Sequence, residues 1–145
     1  MRHAAEIAKD LGSLGGEKAN SFACSINANG VIVGYAETGH RQMHAFAYDQ
    51  AAGMRDIDNV IGRQSSAFHV NAAGTIIGST SIGPVSHIFV CNPGKTIRDI
   101  GTLNGRSTTA IALNSVGQIV GYFEAFVAGT QTRRAMFCER GKIID

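Results

Sequence analysis

The chain has 145 residues, of which 44% are hydrophobic and 17% charged, and it carries a formal net charge of +2. That balance excludes a disordered chain, and it falls well short of the dense basic surface that nucleic-acid binding requires. Eighteen glycines against two prolines point to many tight turns, because glycine alone reaches positive φ without steric cost.

The opening stretch, Met1-Arg2-His3-Ala4-Ala5-Glu6-Ile7-Ala8-Lys9-Asp10, has no apolar run of signal-peptide length, and no later stretch approaches a membrane span. A short leading strand is predicted at 7–11. A repeat follows. Ile26-Asn27-Ala28-Asn29-Gly30 returns as Val70-Asn71-Ala72-Ala73-Gly74 and as Leu113-Asn114-Ser115-Val116-Gly117, with the asparagines 44 and 43 residues apart. After each comes a short apolar run closed by glycine: Val31-Ile32-Val33-Gly34, Thr75-Ile76-Ile77-Gly78 and Gln118-Ile119-Val120-Gly121. His44-Ala45-Phe46 then corresponds to His87-Ile88-Phe89 and, more loosely, to Arg134-Ala135-Met136, and Asp10, Asp56 and Asp99 stand in phase at the unit ends.

The units run over about 12–57, 58–100 and 101–145, within one repeat domain spanning 1–145. Each reads as four short strands, since its β-branched and aromatic runs are bounded by turn residues and are too short for helices. They fall near 21–27, 31–37, 43–49 and 54–57, then 65–71, 75–80, 87–92 and 96–100, then 108–114, 118–124, 134–139 and 142–144. Ala23, Ala67 and Ala110 share one face of the first strands, with Cys24, Phe68 and Ile111 on the other. A small row opposite a bulky row suits sheets stacked face to face, each bulky row lying on its neighbour's alanines. The predicted fold is all-β: three four-stranded antiparallel blades of a β-propeller-like repeat, amounting to a half ring.

Asp10-Leu11-Gly12-Ser13-Leu14-Gly15-Gly16, then Ile26-Asn27 with Gly30 and Gly34, then His44-Ala45-Phe46 resemble the HAF repeat proteins, which take their name from that tripeptide. The resemblance covers nearly the whole chain. It implies a bacterial, extracellular repeat protein of propeller-like shape with no established activity. The later units drift from the pattern, and Tyr48, Cys91 and Cys138 stand near the place where the family has a tryptophan.

Propellers close with about four to eight blades, so three leave apolar faces open at both ends of the arc. A homodimer completing a six-bladed ring is the expectation. The turns after the first and third strands are short, whereas the connections at 38–42, 81–86 and 125–133 are longer and differ in every unit. Variable loops on a rigid scaffold are where binding concentrates. Together with the crossings between units they place Lys18, Arg41, Arg63, Arg106 and Arg133 on one face, as donors to an anionic or glycan ligand. His69, which stands where the other units have serine and alanine, is a further candidate donor. His44 and His87 repeat and read as structural, and the recurring aspartates read as acceptors for the turn amides that follow them.

Nothing in the sequence names a reaction: there is no HExxH, GxSxG or phosphate-cradling glycine motif, no catalytic residue is assigned, and no metal or cofactor is implied. The three cysteines, Cys24, Cys91 and Cys138, lack CxxC spacing and read as buried small hydrophobes. The sequence therefore favours a non-catalytic scaffold for ligand binding or protein interaction. The alternatives are a lectin-like propeller or a hydrolase-type enzyme using the pattern-breaking His69 and the region of Glu124.

Overall fold

A computed structural model of the chain describes residues 8–58, 60, 63–140 and 142–144. Among them there is no helix. Twelve strands form three four-stranded antiparallel sheets, each a simple meander in chain order. The first holds β1 (Ser21–Ile26), β2 (Ile32–Glu37), β3 (Met43–Asp49) and β4 (Gly53–Asp56). The second holds β5 (Gln64–Val70), β6 (Ile76–Ile82), β7 (Val85–Cys91) and β8 (Arg98–Gly101). The third holds β9 (Thr108–Leu113), β10 (Ile119–Val127), β11 (Thr130–Glu139) and β12 (Lys142–Ile144).

The repeated asparagine explains both the turn and the stacking. Asn27, Asn71 and Asn114 each follow a first strand, and each side-chain oxygen accepts the amide that re-enters the second strand: Val31, Thr75 and Gln118, at 2.8 to 3.0 Å. Gly30, Gly74 and Gly117 complete these turns at φ between 79° and 86°, where a side chain would be strained. The other end of the carboxamide points forward. Asn27 Nδ2 donates to the carbonyl of Asn71 at 3.0 Å, and Asn71 Nδ2 donates to the carbonyl of Asn114 at 2.9 Å. One side chain thus closes its own hairpin and sets the offset of the next sheet.

The glycine in the middle of each second strand has a different cause. Strand pairing slips by one residue at Cys24, Phe68 and Ile111, a β-bulge at the same place in all three first strands. The bulge presses the carbonyls of Phe22, Ser66 and Thr109 onto Gly34, Gly78 and Gly121, so that a Cβ there would overlap backbone oxygen. The bulge also overturns the expected packing of bulky on small rows. Ala67 and Ala110 are buried, but Ile111 is 55% exposed and Cys24 is exposed, because the bulged residue is turned out of the stack.

Each sheet has a leading face, toward the preceding sheet, and a trailing face, toward the next. On the trailing face of the first sheet, Val33, Ala45 and Ala47 pack against Ala67, Val70, Ile76, Phe89 and Cys91 of the second. The trailing Ile77, Ile88 and Val90 of the second sheet meet Ala110, Leu113, Ile119, Phe123, Met136 and Cys138 of the third. The leading face of the first sheet has no sheet before it. Leu11 and Leu14 of the entering segment cover its Ala36, Phe46 and Tyr48. This segment packs without forming a strand at residues 8–11, contrary to the leading strand predicted at 7–11; Ile7 lies outside the described residues.

Asparagine 71 is 6% exposed, and its side chain both accepts from Thr75 and donates to Asn114. Asn71→Ala is expected to lower the unfolding free energy by about 2 kcal/mol, the loss of two hydrogen bonds, one to the Thr75 amide and one to the Asn114 carbonyl. Asn114→Ala, at an exposed turn, should cost less than half of that; urea denaturation of the two variants checks the order.

Candidate functional site

The turns that join second to third strands lie at the same end of the stack as the crossings between units. Only the first of these, at 38–42, is a loop, and the longer loops expected at 81–86 and 125–133 are not formed. Gly83 and Pro84 turn β6 directly into β7, and Ala128-Gly129 turn β10 into β11, both at positive φ (51° and 80°). Two consecutive positive φ values give the turn that matches strand twist, so the ladder continues to Val127↔Thr130. The third hairpin therefore outreaches the others as strand, with Phe126 and Val127 exposed.

Lys18 and Arg41 come together. They line a cavity of about 400 Å³ between the entering segment and the 38–42 turn, with Asn20, Glu37 and Thr38 in its wall. Gly15 allows the two segments to approach, since a Cβ there would lie 2.7 Å from the Thr38 carbonyl oxygen. Thr38 organises the turn: its backbone amide donates to Gln42, its carbonyl accepts from the Arg41 amide, and its hydroxyl accepts from the amides of His40 and Gln42. This geometry holds Arg41 at φ 59°, a conformation that costs a non-glycine residue energy and concentrates at functional sites. The Glu37 carboxylate is occupied, accepting from the Asn20 amide at 2.7 Å and its side chain at 3.3 Å. Neither Lys18 nor Arg41 forms an ion pair among the described residues. Two exposed cations thus face a cavity whose one acid is already satisfied.

The other candidates lie elsewhere. Arg63 is a structural residue: its Nε and Nη2 grip Asp58 at 2.8 to 3.3 Å, and Asp58 is wholly buried. Burial pushes the Asp58 carboxyl up, but hydrogen bonds from Arg63, Ser65 and the Val60 amide, together with the guanidinium charge, outweigh it and hold the group below the usual carboxylate range. Ser65 Oγ also accepts from the Ala45 amide at 2.9 Å, so this polar cluster bridges the first two sheets. Arg106 lies over the Phe126 ring at 4.6 Å and Arg133 over Tyr122 at 5.1 Å, cation–π contacts that brace the long third hairpin. His69 is half-buried and pairs with Ile77, placing it on the trailing face of the second sheet. Glu124 follows Phe123, which packs against the second sheet, and strand alternation puts it on the opposite, trailing face of the third. The third sheet therefore separates these two, and they form no common site.

His44 and His87 bond through Nδ1 to Asp56 and Asp99 at 2.9 and 3.0 Å, tying third strand to fourth in the first two units. Asp10, Asp56 and Asp99 have the expected turn role, each accepting the amide two residues on at 2.7 to 2.9 Å. Among the described residues no group of histidine, cysteine or acidic side chains is placed to hold a metal ion. Cys91 and Cys138 are fully buried, whereas Cys24 is exposed on its bulge, correcting its expected burial. Burial pushes the Cys91 thiol up, with the Arg55 charge opposing, and partial burial raises Cys24 as well, so neither is an activated thiolate.

Comparison of the chain with protein-family models, with curated proteins and with solved structures found no match.

Asp58 stabilises the fold above the ordinary carboxylate range, and that contribution is lost as the pH falls through its own lowered value. Arg63→Ala, which leaves the buried carboxylate unpaired, is expected to cost roughly 3 to 5 kcal/mol at neutral pH. Asp58→Asn should lose less stability than the wild type between neutral pH and pH about 3; urea unfolding at the two pH values measures both effects.

Proposed function

We propose that this protein is a non-catalytic, propeller-like binding scaffold of the HAF repeat kind, and that it holds an anionic, hydroxyl-rich ligand such as an acidic glycan in the cavity between Lys18 and Arg41. The observation that carries the reading is the pairing of two unneutralised cations in a concave site whose turn holds Arg41 at positive φ. Guanidinium and ammonium groups suit carboxylate or sulfate, and the Asn20 and Thr38 side chains in the wall suit sugar hydroxyls. The scaffold reading is favoured over a hydrolase because His69 and Glu124 lie on opposite sides of the third sheet. It also accounts for the ordinary structural employment of the repeated histidines and aspartates. The bacterial, extracellular setting follows from the resemblance to the HAF repeats, and two copies completing a ring of six blades is the assembly that goes with it.

Titration calorimetry with a sulfated or uronic-acid oligosaccharide tests the site. The wild-type chain is expected to bind the acidic oligosaccharide but not its neutral counterpart, with affinity that falls as salt rises. Replacing Lys18 and Arg41 together by alanine should weaken binding at least tenfold, each lost charge-assisted hydrogen bond being worth about 1.5 to 3 kcal/mol. Undiminished binding by the double variant, or none by the wild type, refutes the assignment.

A further inference from the structure

The two outer faces of the stack are copies of faces that the chain buries against each other internally. Val33 and Ile77 are fully buried by the following sheet, but their counterpart Val120 is 48% exposed. Ala45 and Ile88 are likewise buried where Ala135 is exposed, and Val90 is buried where Phe137 is only half-buried. At the other end the pattern is the converse. Val70 and Leu113 are 3% and 7% exposed, whereas their counterpart Ile26 is 65% exposed, and Ala23 is exposed where Ala67 and Ala110 are buried. The two joints already present within the chain show what fits here: the first strand of one unit lying on the trailing face of the unit before it.

The asparagine series points the same way. Asn27 and Asn71 donate forward to the next asparagine's carbonyl, so Asn114 is the next donor in line and Asn27 offers the next acceptor. Asn114 Nδ2 is held meanwhile by Gln118 Oε1 at 2.7 Å, a residue that replaces Val31 and Thr75 of the other units. The Leu11–Leu14 segment leaves the docking strip open, since it covers Ala36, Phe46 and Tyr48 and leaves Ala23 and Ile26 of β1 exposed. Ile57 and Leu103 of the internal crossings sit in the two internal joints alongside the docked strand, so such a cover is compatible with docking.

We propose that the trailing face of the third sheet binds the leading strand β1 of a second copy of this chain, head to tail, repeating the internal joints with Asn114 donating to the partner copy's Asn27 carbonyl. This deepens the two-copy reading given above and rests on it. Val120, Ala135 and Phe137 form one half of the contact, and Ala23 and Ile26 the other. The joint is heterologous: each copy presents one of each face, so two copies satisfy both faces only by closing on themselves.

Light scattering of the purified chain over a range of concentrations, with two single variants, tests this. The wild type is expected at twice the 15.3 kDa chain mass. Val120→Asp and Ile26→Asp alter opposite faces at exposed positions, and each should reduce closed pairs sharply; a wild-type circular dichroism spectrum and a cooperative urea transition confirm that each variant folds. Mixed in equal amounts, the two variants should form a pair through the one joint left intact, an outcome that a like-to-like contact does not give. Asn114→Ala should weaken association about thirtyfold, as suits one hydrogen bond lost at each of the two joints. A wild-type monomer at all concentrations would overturn the two-copy reading itself. A wild-type pair that survives in Ile26→Asp alone, with no rescue on mixing, would overturn only the head-to-tail geometry.

Discussion

A four-stranded sheet with apolar side chains on both faces cannot shield itself; it needs a neighbour on each side. Every other feature of this molecule follows from that requirement. Val33 on one face of the first sheet and Phe46 on the other are both buried, the first by the second sheet and the second by the entering segment. Stacking supplies the hydrophobic energy but leaves sheets free to slide, because apolar contact has no direction. Directed bonds settle the offset: the asparagine carboxamides fix one end of each joint, and Ser65 with Ala45 and Ser107 with Ser86 fix other points of the seams.

Much of this architecture was legible in the sequence because it is written in residues with narrow uses. Asparagine before a positive-φ glycine marks a turn, and three such turns in phase mark three units. The β-bulges were less visible. Their trace is the glycine inside each second strand, which closes an apolar run in the sequence and proves to be the space for a neighbouring carbonyl. Once the bulge is placed, the apparent bulky row of Cys24, Phe68 and Ile111 is no longer part of the stack. Ala128-Gly129 misled for another reason. Alanine seldom accepts positive φ, so the pair lacks the usual hairpin signature, although the flanking Phe126-Val127 and Thr130 carry strand character.

The candidate site was legible only in part. Charge in sequence says nothing about where a charge is spent, and five basic residues that looked alike have three different employments. Arg63 neutralises a buried acid, Arg106 and Arg133 lie on aromatic rings, and Lys18 and Arg41 face a cavity. The partner that captures Arg63 is Asp58, five residues earlier in the crossing between units. The Arg133 ring contact depends on the extended hairpin and could not be read before the turn was known. What distinguishes the cavity is that the first unit alone keeps an open loop at 38–42, with a glycine-rich segment beside it.

The simple meander of each sheet bears on how the chain reaches this state. Within a sheet every strand pairs with its neighbour in sequence, and substantial contacts between sheets run only from one unit to the next. The entropy of loop closure is therefore spent in small instalments, and no strand must wait for a distant segment of the chain. Order can spread from one finished hairpin to the next, as in a row of coupled units, during synthesis as well as after it. Within one copy the same linear coupling makes the middle sheet, with a sheet on each face, the last to open, and the third, whose Val120 face is uncovered, the first.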